Sequence, residues 1–241
     1  MPPAKEPTSP LRWELVSGLG FDLVRLFGSI DEADGPRVRH ELSAILIAHP
    51  RAVADCTGLR ASGPAALALL CHAHERAGGW PASRLCLYGL GGEQARWYRE
   101  AALAEQVPLR DSMPEAVAAL AEPPRRLRRS ATLVAGRRIA REARSVIDSC
   151  AADWKLPRSV STPAMLAASE VVNGAVEAGA AEVRILVERE PGRLAVTVLA
   201  HRDDSAELGT LTEITLDAFA DAWSTESTPY GRRTRATFVV D

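Results

Sequence analysis

The chain has almost no lysine. Only Lys5 and Lys155 occur in 241 residues, and arginine supplies nearly all of the 29 basic side chains. Acidic residues number 31, so the formal net charge is -2, and no global field gathers nucleic acid or an anionic membrane. The one dense basic run, Arg125–Arg129, is too local to read as a nucleic-acid footprint. Cysteine is also sparse: Cys56, Cys71, Cys86 and Cys150, with no close CxxC pair. Each lies in an apolar stretch, which points to small buried hydrophobes in a reducing cytoplasm rather than disulfides or a metal centre. No uninterrupted apolar run reaches the roughly 18 residues of a membrane-spanning helix. The N-terminal "MPPAKEPTSP" has no apolar signal-peptide core and reads as a frayed tail. Internal repeats and low-complexity tracts are missing. Of the five histidines, His72 and His74 share a helix but stand two apart, so they face different directions and make a poor metal pair.

What is present is ordinary globular material: 46% hydrophobic and 25% charged residues, enough for one large domain or two small ones. "AEPPRRLRRS" (Ala121–Ser130) divides them, because Pro123 and Pro124 stop a helix and restrict the residues before them. Before it, strands alternate with helices. "FDLVRLFG" reads as a strand, and Val38, Leu42, Ile45 and Leu46 form a helical stripe after Pro36. "RAVADC" is a buried strand. "SGPAALALLCHAHERAG" is a helix with Ser62 as N-cap, closed by Gly78 and Gly79. "RLCLYG" is a further strand, and "GEQARWYREAAL" and "SMPEAVAALAE" are helices. This alternation predicts an α/β layer with crossover connections.

After the linker, "SATLVAG" reads as a strand. A helix follows with Ile139, Ala143, Val146, Ile147, Cys150 and Trp154 on one side. "STPAMLAASEVVNGAVEAG" is a second helix, capped by Ser161 or Thr162 with Pro163 near its first position and ended by Gly179. "AEVRILVERE" and "GRLAVTVLAHR" are strands around a Pro-Gly turn. "TLDAFADAWS" is a helix and "RRTRATFVVD" a last strand. Helices on one face of a mainly antiparallel sheet make an α+β layer.

The residues "VRLFGSIDEADGPRV" (Val24–Val38), "AVADCTGLRASGPAALALL" (Ala52–Leu70) and "SMPEAVAAL" resemble the STAS domain of bacterial anti-anti-sigma factors over residues 12–121. The resemblance implies a STAS-like α/β fold and places Ser62-Gly63 at the family's phosphorylated Ser-Gly. The loop is shorter here, and Arg60 stands near the family's usual Asp. Two compatible readings of Ser62 stay open, a plain helix cap and a phosphoacceptor with Arg60 close enough in sequence to pair with the phosphate.

Residues 130–241 resemble the anti-sigma-factor kinases of the histidine-kinase-like (GHKL) ATPase fold. The resemblance rests on "AREARSVIDSCAADWKLP", on "SEVVNGAVEAG" at the N-box, and on "TLDAFADAWSTESTPYGRRTRATFVV". It implies an α+β Bergerat sandwich joined to the STAS-like domain by a linker at 122–129. Asn173 matches the N-box Asn that coordinates magnesium. The general-base Glu one turn earlier is replaced by Ser169. Glu170 is adjacent but about 100° round the helix, and Glu177 holds the family's His position. The Asp-x-Gly motif is missing from "LAHRDDSAELG", where His201 and Asp203 are the stand-ins and a turn of solvated charges is the plainer reading. "LGTLTEITLD" has Gly209 alone in place of a glycine-rich lid, with Glu213 set to repel phosphate. Asn173 is then either a vestige of the cofactor site or a structural Asn hydrogen-bonded inside the fold.

These resemblances imply a non-catalytic protein-interaction regulator, a pseudokinase in a sigma-factor partner-switching circuit, with no cofactor and no metal. Its partners would be anti-sigma, anti-anti-sigma or sigma factor proteins, or a second copy. The alternatives are a divergent ATP-dependent serine kinase using ATP-magnesium, with Glu170 or Glu177 as base, and a small-molecule sensor.

Overall fold

The computed structural model describes residues 9–18, 20–200, 209–229 and 231–240. The chain divides into two compact units between Arg125 and Arg126.

The first unit holds β1 (Arg12–Val16), β2 (Asp22–Ile30), α1 (Gly35–Arg37) and α2 (Ser43–Ala48) joined by a π-turn, and β3 (Arg51–Ala61). It continues through α3 (Pro64–Arg76), β4 (Arg84–Tyr88), α4 (Gly92–Glu100), β5 (Leu109–Arg110) and α5 (Met113–Ala119). The sheet order is β1-β2-β3-β4-β5. β2 to β5 run parallel and β1 is antiparallel to β2. The expected α/β alternation is present, while β1 and β5 were not anticipated; β5 has only two residues, too few for a periodic signal. Ala52, Ala54, Cys56 and Leu59 of β3 face one core with Leu67 and Leu70 of α3. Leu23, Val53 and Cys86 face a second, smaller core with Ala116 and Leu120. Burial on both faces makes β3 read as a near-continuous apolar run. Asp31 opens the helical segment with a capping box: it accepts from Ala33 N at 2.8 Å and donates its own N–H to Asp34 at 3.0 Å.

The second unit holds β6 (Leu127–Val134), α6 (Ile139–Trp154), α7 (Arg158–Glu177), β7 (Glu182–Glu190), β8 (Arg193–Ala200), α8 (Thr210–Phe219), β9 (Ala222–Thr228) and β10 (Gly231–Val239). All pairings are antiparallel, in the order β6-β7-β8-β10-β9. Register puts Ile185, Val198 and Thr234 in one row and Val187, Val196 and Ala236 in the next, all buried. α6 and α7 pack against the sheet, so this unit is the expected α+β layer. Lys155, in the left-handed conformation, ends α6, and Leu156 N donates back to Ala151 O at 2.9 Å.

Three local expectations are corrected. α7 starts at Arg158, so neither Ser161 nor Thr162 caps it and Pro163 lies inside the helix. Burial of Val160 and Ser161 recruits the extra residues and outweighs the one hydrogen bond Pro163 cannot donate. The helix expected at 215–224 runs from Thr210 to Phe219, and Ala222–Thr228 is an edge strand. Its Ser/Thr-rich residues pair along β10, a tertiary gain that local propensity does not show. The segment expected as a linker, 122–129, contains the first three residues of β6. Three of its four arginines form ion pairs there: Arg126 with Glu190 at 2.8 Å, Arg128 with Glu188 at 3.8 Å and Arg129 with Asp153 at 2.8 Å.

No disulfide joins the four cysteines, all buried. Among the described residues no helix is long and apolar enough to cross a membrane.

Gly28 closes the first sheet against the segment before β1. Its φ is +90°, and a Cβ there would stand 2.8 Å from Ser9 O and closer still to Pro10 O. Both contacts are backbone, so neither can swing aside. Gly28→Ala is expected to destabilise the chain by about 2–4 kcal/mol through left-handed strain plus overpacking, measured by urea unfolding against the parent.

Candidate functional site

In the first unit the Ser62 segment continues the line of β3. Ser62 N donates to Ile30 O of β2 at 3.0 Å. The N-cap position of α3 belongs to Gly63, with no side-chain cap bond, and Pro64 follows it. The expectation that Ser62 is the N-cap is therefore corrected. One residue further out, its hydroxyl cannot reach the second or third helical N–H as a cap does. Ser62 is exposed, and its hydroxyl has no hydrogen-bond partner among the described residues.

Gln94 of α4, which sequence reasoning missed, fixes this segment. Its side-chain Nε2 donates to Leu59 O at 3.0 Å and its Oε1 accepts from Ala61 N at 2.6 Å. One amide side chain thus satisfies two backbone groups on the free edge of β3, beyond the last pair with β4 at Asp55 and Tyr88. Only the start of α4 behind Gly91 and Gly92, brought beside β3, makes this bond possible; nothing local to Gln94 signals it.

A polar row crosses the same sheet. Glu14 is registered with Arg25, Arg25 with Asp55, Asp55 with Tyr88, and Tyr88 with Arg110, one residue from each strand. Burial works to raise the Asp55 carboxyl, but hydrogen bonds from Thr57 and Tyr88 and the Arg25 charge outweigh it and hold the group below its ordinary value. Burial, together with the Asp55 carboxylate, pushes the Tyr88 hydroxyl up to about 12. The row is internally compensated, Glu14 and Asp55 against Arg25 and Arg110, and its cross-strand pairs stabilise the sheet.

In the second unit Ser169 is buried on α7. Its hydroxyl donates to Met165 O at 2.7 Å and accepts from Arg144 Nη1 of α6 at 3.1 Å. A guanidinium therefore reaches the helix face one turn before Asn173. Asn173, one turn along, is half-buried, and its side chain makes no hydrogen bond among the described residues. The structural reading, an Asn bonded inside the fold, is corrected accordingly. Glu170 is half-buried and Glu177 exposed, and neither replaces Ser169 on its face of the helix. Immediately after Asn173, α8 closes on α7: a Cβ on Gly174 would lie 2.9 Å from Thr212 Oγ1. Gly209 is the N-cap residue of α8 with ordinary extended backbone, and Glu213 stands in the first turn. His201 and Asp203 lie outside the described residues.

Outside these positions, His74 is buried and its Nε2 bonds Ser83 O at 2.8 Å. Among the described residues no three His, Cys, Asp or Glu side chains are grouped to hold a metal ion.

No protein-family model matches the chain, and no curated protein does. Among solved structures, the chain is similar to an anti-sigma factor antagonist from Mycobacterium paratuberculosis, at 18% identity and TM-score 0.40, covering 47% of this chain and 96% of that one. It is similar to the RsbU and RsbW domains of Rv1364c from Mycobacterium tuberculosis at 18% identity and TM-score 0.40, over 47% of this chain and 32% of that one. The anti-sigma factor antagonist SpoIIAA in its unphosphorylated form matches at 17% identity and TM-score 0.33, over 44% of this chain and 92% of that one.

The three polar positions separate in a thermal and urea unfolding series. Ser62→Ala is expected within about 0.5 kcal/mol of the parent, as for an uncommitted surface residue. Asn173→Leu is also expected to stay within about 0.5 kcal/mol, since no partner is stranded. Gln94→Leu leaves Ala61 N and Leu59 O unpaired and is expected to cost about 2 kcal/mol. A destabilisation by Ser62→Ala as large as that of Gln94→Leu would restore the capping role.

Proposed function

We propose that the chain is a non-catalytic protein-interaction regulator of sigma-factor partner switching. In this reading residues 12–121 form a STAS-like domain, and residues 130–241 a degenerate histidine-kinase-like ATPase domain of the Bergerat type. The observation that carries it is the Arg144–Ser169 hydrogen bond. A general base must take a proton within hydrogen-bond reach, and here a serine, already donating to Met165 O, faces a permanent cation. The residues present do not fit ATP-magnesium. Arg144 would repel a divalent cation beside Asn173, Glu213 would repel phosphate at the start of α8, and α8 is seated against Gly174.

The first unit supplies the regulated surface. Ser62 is the proposed phosphoacceptor: its hydroxyl is exposed and serves no cap, so modification removes no hydrogen bond of the fold. A phosphate there would lie beside the first turn of α3, whose N–H groups and dipole favour an anion. Its partners in this reading are anti-sigma or sigma factor proteins.

Calorimetry of the purified chain with ATP and magnesium tests the loss of catalysis. No binding is expected, and a dissociation constant below about 100 μM, a gain of more than roughly 5.5 kcal/mol, would overturn the proposal. The switch is tested by binding to a panel of anti-sigma factors. Ser62→Asp is expected to weaken the complex about tenfold or more through the added charge and Ser62→Ala to leave it intact. Equal binding by both variants removes the phosphoacceptor role.

A further inference from the structure

Helix α8 is turned inside out. It buries Thr212 and Thr215 with Leu216, and it exposes Leu211 at 65%, Ile214 at 59% and Phe219 at 42% of their surface. Leu211, Ile214 and Ala218 recur at i, i+3 and i+7, so the exposed apolar residues form one stripe. A short helix that seats threonines inside and offers aliphatics to water is left with a face that calls for cover.

The strand beside it is equally unguarded. β9 is an edge of its sheet and reads Ala-Trp-Ser-Thr-Glu-Ser-Thr. Exposed edges are normally blunted by lysine, proline, a bulge or an inward charge. β9 has a regular register with β10 and a single charge, Glu226, engaged by Arg233 at 2.8 Å. Trp223 Nε1 donates to Asp217 Oδ1 of α8 at 2.8 Å, which ties helix and strand into one edge.

We infer that this edge is a two-fold interface between two copies of the chain, in which β9 pairs antiparallel with β9 of the partner and the α8 stripes pack together. A two-fold axis normal to the sheet at Thr225 places both α8 helices on the same face, one on each side of the axis. It also sets Glu226 opposite Ser224 of the other copy and Ser227 opposite Trp223, so no like charges stand directly opposite along β9. The edge is thus self-complementary, as an isologous interface requires. The exposed residues of α8 and the seven of β9 fall short of the roughly 20 residues per side of a standard interface, as suits a dimer that dissociates within a concentration series. Pairing satisfies the outward backbone groups of β9 and buries the stripe in one step. The inference is independent of sigma-factor regulation and stands or falls on the purified chain alone.

Sedimentation equilibrium of the full chain over a concentration series tests it. Self-association to a dimer is expected. Ile214→Lys, at an exposed position, is expected to weaken it about tenfold or more. Ser224 supplies the charge test, because in its own sheet it is registered with Arg235. Ser224→Glu is therefore tolerated within one copy, yet it sets a carboxylate against Glu226 of the other, and is expected to weaken the dimer about tenfold or more. Ser224→Ala keeps the dimer, and circular dichroism confirms that each variant is folded. A chain that stays monomeric throughout, or a dimer indifferent to both Ile214→Lys and Ser224→Glu, overturns the inference. So does an edge that takes up only a different protein.

Discussion

The seating of α7 on its sheet is the constraint on which the second unit depends. Val160, Ala164, Ala167, Ala168, Val171 and Val172 recur at helical spacing and are all buried. Three of the six are alanines, so the helix lies close to β8 and β10, since the distance between packed elements follows the size of the side chains between them. That position turns Ser169 inward, within reach of Arg144 on α6, and leaves Asn173 at the rim. It also brings Gly174 against Thr212, so α8 closes over the last turns of α7. The Arg144–Ser169 bond, the half-buried Asn173 and the inside-out α8 follow from one packing decision.

The first unit is organised around β3 in the same sense. Parallel partners hold it on both edges as far as Asp55, and beyond that point Gln94 takes over the role of the missing strand. The end of β3 is therefore held on β2 by Ser62 N and on α4 by the Gln94 amide. The Ser62 hydroxyl stands at the tip of this rigid element and takes no part in holding it. Such a residue can change charge while the fold stays intact, which is what a modification switch requires.

Many polar groups in the two units are committed to structure. The row Glu14, Arg25, Asp55, Tyr88 and Arg110 neutralises itself across five strands. The arginines at the start of the second unit pair with Glu190, Glu188 and Asp153, so most of a dense basic run is spent on ion pairs within the unit. The exposed apolar side chains of α8 and the open edge of β9 supply the contact surface that association needs.

Local pattern determined a good deal here. The α/β and α+β layers, the stripe of α6 and the hairpin of β7 and β8 are legible because they depend on periodicity and turn residues. The helix start at Gly63 instead of Ser62, the extension of α7 through Pro163, the pairing of β9, and the roles of Gln94 and Arg144 were decided only by tertiary structure. Most depend on a neighbour distant in the chain: Ile30 for Ser62, Leu59 and Ala61 for Gln94, α7 for Arg144. A hydrogen bond to a backbone group 35 residues away leaves no mark on local composition, because its energy exists only once the fold has brought the two groups together.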